Sequence, residues 1–411
     1  MPSHGIMKRL GTMVKIDFSL EEQFLRYCAQ SHANDRISLR LNDILGHNLN
    51  WPYILEKSMK EGIACLAYHN LLQHKQKIPD NIWENFKGTY YRNMTRNYGI
   101  YQEMNAVLSC FHKEALNVIP LKGIFLAEKI YENIALRAMT DIDLLVKKED
   151  LPRIDNILED IGYGSPIHKK LLYLAVKKSY MNSMDYFKKN EKSPTLHIHW
   201  HIVNVTLPTY IYSKNIKMDK LFECATRITI AKAQTLQLAP HHLLLYLAEH
   251  ALKHSFERLI LLSDIDAVIK KYKGQINWPG LMEEAREFGL DRQLYYSLYF
   301  TRYFLDTDIP DDILSGLRPK KAAVFERQFL NSILNNSRNT KLCYLIYLGM
   351  IKGVINKSRF IVRTLFPPAC ILALTFNLNK PKITAKDYFI YMGKQIFYIK
   401  NYLISLRPKV K

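Results

Sequence analysis

The sequence has few cysteines, and they follow no recognisable spacing. Six cysteines are scattered over 411 residues, and no two of them form a Cys-x-x-Cys pair. A small secreted domain held by disulfides would need a denser framework, so this pattern argues against that class. We therefore expect reduced thiols and a cytoplasmic protein.

Long apolar runs are also missing. The N-terminus has no uninterrupted apolar segment that ends in a small-residue cleavage site, so no secretory signal is predicted. The most apolar C-terminal stretch, residues 365–378, contains Pro367 and Pro368. It is shorter than the roughly 20 residues that a helix needs to span a bilayer. We expect no transmembrane segment, and no internal repeat is apparent.

Acidic residues are scarce relative to basic ones. The chain has 58 Lys and Arg against 38 Asp and Glu, a formal charge of +20. The imbalance is largest from Lys341 to Lys411, which hold 13 basic residues and one acidic residue, Asp387. Such a region favours nucleic acid, a phosphate-rich substrate or peripheral contact with an anionic membrane, but it is equally typical of a solvated basic surface.

The apolar periodicity predicts an α+β fold, with a small mixed β-sheet core embedded in a mostly helical protein. We divide the chain into a helical N-terminal region (1–115), the core (116–210), a helical domain (211–335) and a basic C-terminal region (336–411). Three strands are predicted in the core, at 117–122, 141–146 and 195–203. The polar segment 169–193 is predicted to form a helix that covers the site.

The most informative stretch of the core contains two carboxylates at alternate positions. Asp141 and Asp143 open the second strand, and Lys122-Gly123 ends the first. Alternate residues on a strand point to one face, so the two carboxylates would stand side by side. Adjacent carboxylates repel each other unless a cation lies between them, and oxygen ligands suit Mg²⁺. This spacing predicts a divalent-metal site that handles a nucleoside triphosphate.

Histidines follow in two further patterns. On the third strand, alternation places His197, His199 and His201 on one face, where neighbouring imidazoles can share a metal ion or remain solvated. On a later helix, His250 and His254 are four residues apart, but the glutamate of the His-Glu-x-x-His metalloprotease motif is missing. A hydrogen-bond network between helices is the simpler interpretation for this pair.

Asp264 and Asp266 repeat the spacing of the carboxylate pair. Their surroundings predict a helix, on which residues i and i+2 point in different directions, so we reject a second metal site there. Asp264 is instead a candidate for supporting contacts near the first site, together with His199, His250 and His254.

These motifs together resemble a known family. Leu121-Lys122-Gly123, Tyr131 and the run Arg137-x-Met139-Thr140-Asp141-Ile142-Asp143 are similar to the signature of an uncharacterised nucleotidyltransferase family in the polymerase-β-like superfamily. The resemblance extends over residues 20–310. The Lys-Gly and Asp-x-Asp core is the specific part, whereas the helical parts carry little information alone.

The resemblance implies transfer of a nucleoside monophosphate from a nucleoside triphosphate (NTP), such as ATP, to a small molecule, a peptide, a protein or an RNA. Asp141 and Asp143 would hold two Mg²⁺ ions, about 4 Å apart in such enzymes. The triphosphate would contact Lys122, Gly123, Arg137 and Thr140, with Lys122 also neutralising charge during transfer. Arg137 is equally suited to a structural ion pair with Asp141 or Asp143.

One departure from the superfamily concerns the third strand. His197 stands where relatives carry a third metal-binding carboxylate, and histidine prefers Mn²⁺ or Zn²⁺ to Mg²⁺. Three alternatives follow: a Mn²⁺-dependent or impaired transferase, a non-catalytic nucleotide- or RNA-binding descendant, and a zinc hydrolase built on the three strand histidines.

Overall fold

The computed structural model describes residues 18–31, 35–167, 169–188, 193–203, 213–320, 343–351, 353–375 and 384–405, together with residues 326, 330 and 333. In this part of the chain the α-helices are α1 (Leu20–Cys28), α2 (Asp35–Ile44), α3 (Trp51–Glu61), α4 (Ala64–Asn70), α5 (Asp80–Lys113), α6 (Lys122–Phe125), α7 (Leu151–Asp160), α8 (Lys169–Lys177), α9 (Met218–Glu223), α10 (Pro240–Lys253), α11 (Leu259–Lys271), α12 (Trp278–Phe288), α13 (Asp291–Leu305), α14 (Asp311–Leu317), α15 (Cys343–Met350), α16 (Val354–Leu365), α17 (Ala369–Thr375) and α18 (Ala385–Ser405).

The strands form two sheets. They are β1 (Val118–Pro120), β2 (Asp141–Val146), β3 (Tyr163–Gly164), β4 (Ser183–Lys188), β5 (Thr195–His199), β6 (Thr226–Ile230) and β7 (Ala233–Gln237). A five-stranded sheet has the order β1-β2-β5-β4-β3, and β6 pairs with β7. Only the β2–β5 pair is parallel within this five-stranded sheet, which is therefore mixed. The predicted α+β class, with a small mixed sheet in a mostly helical chain, is confirmed.

The middle of the sheet is the apolar strand β2. Residues 142–146 are all buried, as expected of a strand covered on both faces, and only Asp141 at its beginning is partly exposed. The long helix α5 packs against β2 and β7, and α10, α11 and α13 pack against one another. The carboxylate pair therefore lies at the end of a buried strand, on a rigid support.

The ends of α3 carry residues typical of helix termini. Asn50 caps α3 by accepting a hydrogen bond from the Tyr53 amide at 3.1 Å, with Pro52 in the first turn. Gly62 ends this helix with a φ of +75°, a left-handed conformation that suits glycine. The described residues of the region 1–115 are mostly helical, as expected.

Two predictions about the sheet are wrong. The segment 169–193 is helical only over α8, and its second part is β4, where Met184 and Tyr186 are buried against the core. The strand predicted over 195–203 ends at His199. The Trp200 amide still donates to the Asn182 carbonyl of the neighbouring strand end at 3.0 Å, and the chain then bends over residues 200–203.

The hairpin of β6 and β7 was not predicted. Its turn is formed by Ala231 and Lys232, with φ values of +47° and +65°, where glycine or asparagine would be the usual signal. The division into four regions stays a prediction. Its boundaries at 210/211 and 335/336 lie outside the described residues, as do residues 189–192 of the segment discussed above.

Candidate active site

The site begins at the junction of β1 and β2. The Leu121 amide donates a hydrogen bond to the Asp143 carbonyl at 2.9 Å, which ties the end of β1 to the neighbouring strand. Lys122 then adopts a φ of +47°, an uncommon conformation for a residue with a side chain, and turns the chain into α6. This turn brings Lys122 Nζ to 2.6 Å from Asp143 Oδ1.

Asp143 is the centre of the site. Its side chain is 2% exposed, and its Oδ1 also accepts from His199 Nε2 at 2.8 Å and contacts His197 Nδ1 at 3.2 Å. Burial alone would raise the pKa of Asp143, but Lys122 and the two histidines outweigh burial and hold this pKa well below its usual value. Asp143 is therefore an anion stabilised by three donors on a single oxygen.

Asp141 stands beside Asp143 on the same face of β2, as predicted, and is partly exposed. Burial raises the pKa of Asp141, and the Asp143 carboxylate raises it further. Repulsion between the two carboxylates therefore remains in this protein, and a bound cation would relieve it.

A row of polar side chains crosses three strands next to Asp143. His197 on β5 is directly opposite Asp143 on β2 and opposite Asp185 on β4. Its Nε2 lies 3.6 Å from Asp185 Oδ1, so one imidazole bridges two carboxylates. Asp185 was missed in the sequence because the strand that carries it was not recognised, although Met184 and Tyr186 alternate with it.

The third strand histidine has a different environment. His201 Nε2 donates to the Ser213 carbonyl at 3.0 Å, and its Nδ1 accepts from the Val203 amide at 3.0 Å. Both ring nitrogens therefore contact backbone, and burial lowers the pKa of His201 to about 4. A metal face made of all three strand histidines is not formed, because the strand ends before His201.

Helix α10 and its C-terminal cap residue carry a row of aromatic side chains at four-residue spacing, namely Tyr246, His250 and His254, on which the charge of Asp143 acts. Burial and the Lys122 ammonium lower the pKa of His250 well below its usual value, so its ring is neutral. The Tyr246 hydroxyl is buried and has no hydrogen-bond partner among the described residues. Burial raises the pKa of Tyr246, and Asp143 and Asp141 raise it further. Tyr246 was not predicted, although its spacing from His250 was a usable signal.

Arg137 pairs with Asp264, and not with Asp141 or Asp143 as the structural alternative predicted. Its Nε and Nη2 each lie 2.9 Å from one oxygen of Asp264 on α11, a two-pronged contact. Tyr131 donates to the same carboxylate at 3.0 Å. Arg137 Nη1 donates to the Ala138 carbonyl. Asp264 thus supports the loop that leads into β2, whereas a phosphate contact for Arg137 stays a prediction.

Gly123 packs tightly in this loop. A Cβ on this residue would lie 2.8 Å from Met139 Cβ, closer than carbon atoms normally approach. The absence of a side chain therefore lets α6 lie against the segment before Asp141. Thr140, in the same segment, is exposed, and contacts of Gly123 and Thr140 with phosphate stay predictions.

We expect Gly123→Ala to destabilise the protein by about 1–3 kcal/mol, because the added methyl group must displace Met139. Urea unfolding would measure the change. Gly99→Ala is the matched control: this glycine lies within α5, a Cβ added to it would meet no neighbouring atom within 4 Å, and alanine should raise stability by up to about 1 kcal/mol. Equal unfolding free energies for the two variants would contradict this packing role.

The donor atoms at the centre of the site fit a transition metal. Ligand atoms of Asp143, His197 and His199 lie within 4.8 Å of one another, and Asp141 is adjacent. Imidazole and carboxylate together suit Mn²⁺ or Zn²⁺ better than Mg²⁺, which prefers oxygen ligands alone.

Comparison with known proteins identifies a family. The sequence pattern of a family described as uncharacterised nucleotidyltransferase matches residues 47–306, which include α3 to α13 and every site residue named above. No curated protein and no solved structure matches the chain. Since the match covers more than half of the sequence, the chain belongs to this nucleotidyltransferase family.

Proposed function

We propose that this protein transfers a nucleoside monophosphate from a nucleoside triphosphate to an acceptor, in a reaction that depends on a divalent cation. The observation that carries the proposal is the pair Asp141 and Asp143 at the end of β2, with Lys122 in contact with Asp143. Family membership supports the same reaction class. The scattered cysteines support a cytoplasmic location.

Each residue of the site would have a separate role in this reaction. Asp141 and Asp143 would hold the cation, which supplies positive charge to the phosphate oxygens when it is bound. Lys122 would offer its ammonium to the triphosphate. The neutral His250 and the Tyr246 hydroxyl would border the nucleotide on the side of α10.

Titration calorimetry with ATP, GTP, CTP and UTP, each with Mg²⁺ or Mn²⁺, tests the proposal. We expect one triphosphate to bind in a cation-dependent manner, with Mn²⁺ more effective than Mg²⁺ because of the histidines. Incubation of the labelled triphosphate with cell extract would then reveal a labelled small molecule, peptide, protein or RNA. Absence of cation-dependent binding for all four would refute the proposal.

A non-catalytic nucleotide-binding protein is the alternative, and Asp185 distinguishes the two. Asp185 is half exposed and contacts His197, which in turn contacts Asp143. Asp185 would therefore serve as the third carboxylate of the site. We expect Asp185→Asn to lower turnover about 10–100-fold, while the triphosphate dissociation constant changes less than threefold. Steady-state kinetics and calorimetry measure these quantities. Asp160→Asn, an exposed carboxylate on α7, is the control.

Identical turnover in the wild type and in Asp185→Asn would show that Asp185 has no role in the reaction. A protein that binds nucleotide tightly but labels nothing, in either form, would favour the binding alternative.

The C-terminal helices carry a second surface, which we propose binds the anionic surface of a membrane. Val354 and Ile355 at the start of α16 are 80% and 70% exposed, and Phe389 and Phe397 on α18 are 73% and 60% exposed. The same helices carry exposed Arg359, Lys386 and Lys394, within a region of the sequence that has 13 basic residues and one acidic residue. Among the described residues, no helix is both long and apolar enough to cross a bilayer.

We expect the protein to sediment with vesicles that contain phosphatidylserine and not with pure phosphatidylcholine, and to be released at high salt. The variant Ile355→Ser/Phe389→Ser should lose most of this binding. Leu39→Ser is the control, because Leu39 is 70% exposed but lies on α2. Unchanged sedimentation of the double variant would refute this surface.

A further inference from the structure

A second cluster of ligand side chains lies near the N-terminus of α10, outside the site described above. His241 and His242 are in the first turn of this helix, and Glu284 is on α12. His241 Nε2 and His242 Nε2 lie 3.3 and 3.1 Å from the same atom, Glu284 Oε2. The two imidazole rings are 4.1 Å apart. Three potential metal ligands therefore converge on one point.

The distances and the burial of the cluster are compatible with a metal site. His242 is fully buried, and its Nδ1 has no hydrogen-bond partner among the described residues. Its Nε2 and Glu284 Oε2 are 3.1 Å apart but are not aligned as a hydrogen bond. Around a tetrahedral zinc ion with bonds of 2.0–2.1 Å, ligand atoms lie about 3.3 Å from each other. The observed contacts are close to that value.

The orientation of Glu284 also favours a cation at this point. Lys220 contacts the other oxygen of Glu284, Oε1, which leaves Oε2 directed at the histidines.

The cluster is accessible to ions from solvent. A cavity of about 290 Å³ is lined by His241, Glu283, Glu284 and Glu287, and also by Lys220. Lys220 and Lys217 pair with two of these carboxylates, Glu284 and Glu287. A solvent molecule in this cavity can complete the coordination, as in other sites with three protein ligands.

We propose that His241, His242 and Glu284 bind a Zn²⁺ ion that joins the start of α10 to α12. Two imidazoles and one carboxylate are a donor set that zinc accepts readily, whereas Mg²⁺ and Ca²⁺ prefer oxygen alone. The ion fixes the helix that presents Tyr246, His250 and His254 to the candidate active site. This inference does not depend on the reaction catalysed there.

Zinc binding to the full-length protein tests the proposal, with competition against a chromophoric chelator as the readout. The candidate active site also contains histidines, so the titration is done in an Asp143→Asn/His197→Gln background. We expect one zinc ion per chain in this background. Adding Glu284→Gln should weaken binding at least about a hundredfold, since even loss of a contact behind a metal ligand costs 10–100-fold. Adding Glu283→Gln, which removes the same charge from the same cavity, should change affinity less than threefold.

Cobalt provides a second readout that a structural effect would not produce. Co²⁺ in place of zinc should give the visible absorption of a tetrahedral site, and His241→Gln, a partly exposed position, should abolish it. Circular dichroism confirms that each variant is folded. Equal zinc affinity in the Glu284→Gln and Glu283→Gln variants, or absence of zinc binding in the background protein, would overturn the proposal.

Discussion

Asp143→Asn is expected to lower nucleotidyl transfer at least about a hundredfold, the largest effect on activity that we anticipate for a single substitution. Asparagine has the same shape but no charge, so the site loses an anionic ligand for the cation. It also loses the partner of Lys122, His197 and His199, whose contacts with Asp143 Oδ1 range from 2.6 to 3.2 Å. Turnover with saturating triphosphate and Mn²⁺ is the measurement.

Two controls make this result specific. Asp160→Asn removes an exposed carboxylate from α7 and should retain full turnover. Calorimetry should show that the cation-dependent part of triphosphate binding is lost in Asp143→Asn, while circular dichroism shows a folded protein. Turnover within threefold of wild type would exclude Asp143 from the reaction.

Asp264→Asn should cause the largest loss of stability, about 3–5 kcal/mol in the free energy of unfolding. The side chains of Arg137 and Asp264 are 12% and 2% exposed, so the substitution leaves a guanidinium buried without its counter-charge. Urea unfolding measures the effect. Asp308→Asn is the control, because its ion pair with Lys273 is exposed on both sides and should contribute less than about 1 kcal/mol.

The ion pair with Asp264 also limits the contacts that Arg137 can make with the triphosphate. Arg137→Lys keeps the charge but loses the two-pronged contact with Asp264. If Arg137 acts only through this ion pair, the lysine variant should be less stable and should bind triphosphate with unchanged affinity. A separate loss of triphosphate affinity would support the predicted phosphate contact. An Asp264→Asn protein as stable as Asp308→Asn would show that the ion pair does not stabilise the fold.

Local patterns in the sequence predicted which side chains meet at the centre of the candidate site. Asp141 and Asp143 alternate at the start of an apolar strand, and His197 and His199 alternate on the next predicted strand. Because β2 and β5 are parallel neighbours, both pairs meet on one face. The spacing within each strand predicts which side chains share a face. The resemblance to the family indicated the order of the motifs along the chain.

Contacts between distant segments were not predictable in the same way. Asp264 follows Arg137 by 127 positions, and no local pattern assigns one to the other. Asp185 could be predicted only if β4 was recognised as a strand. The helical pattern of the preceding residues obscured the alternation of side chains in β4. The β6–β7 turn uses Ala231 and Lys232 at positive φ, residues that give no turn signal. Tertiary packing decided each of these cases.

The contact between Lys122 and Asp143 has a consequence for the order in which ligands bind. One ammonium cannot neutralise a buried carboxylate and a triphosphate equally well, and at 2.6 Å it is committed to Asp143. The charge of Lys122 is therefore partly neutralised by Asp143 and attracts the triphosphate less strongly. This changes only when a bound cation replaces the Lys122 ammonium beside Asp143. Cation and nucleotide should each raise the affinity for the other by the same factor, because linkage is reciprocal. In the absence of a cation, Lys122 would then occupy the position beside Asp143 and lower the affinity of the protein for free triphosphate.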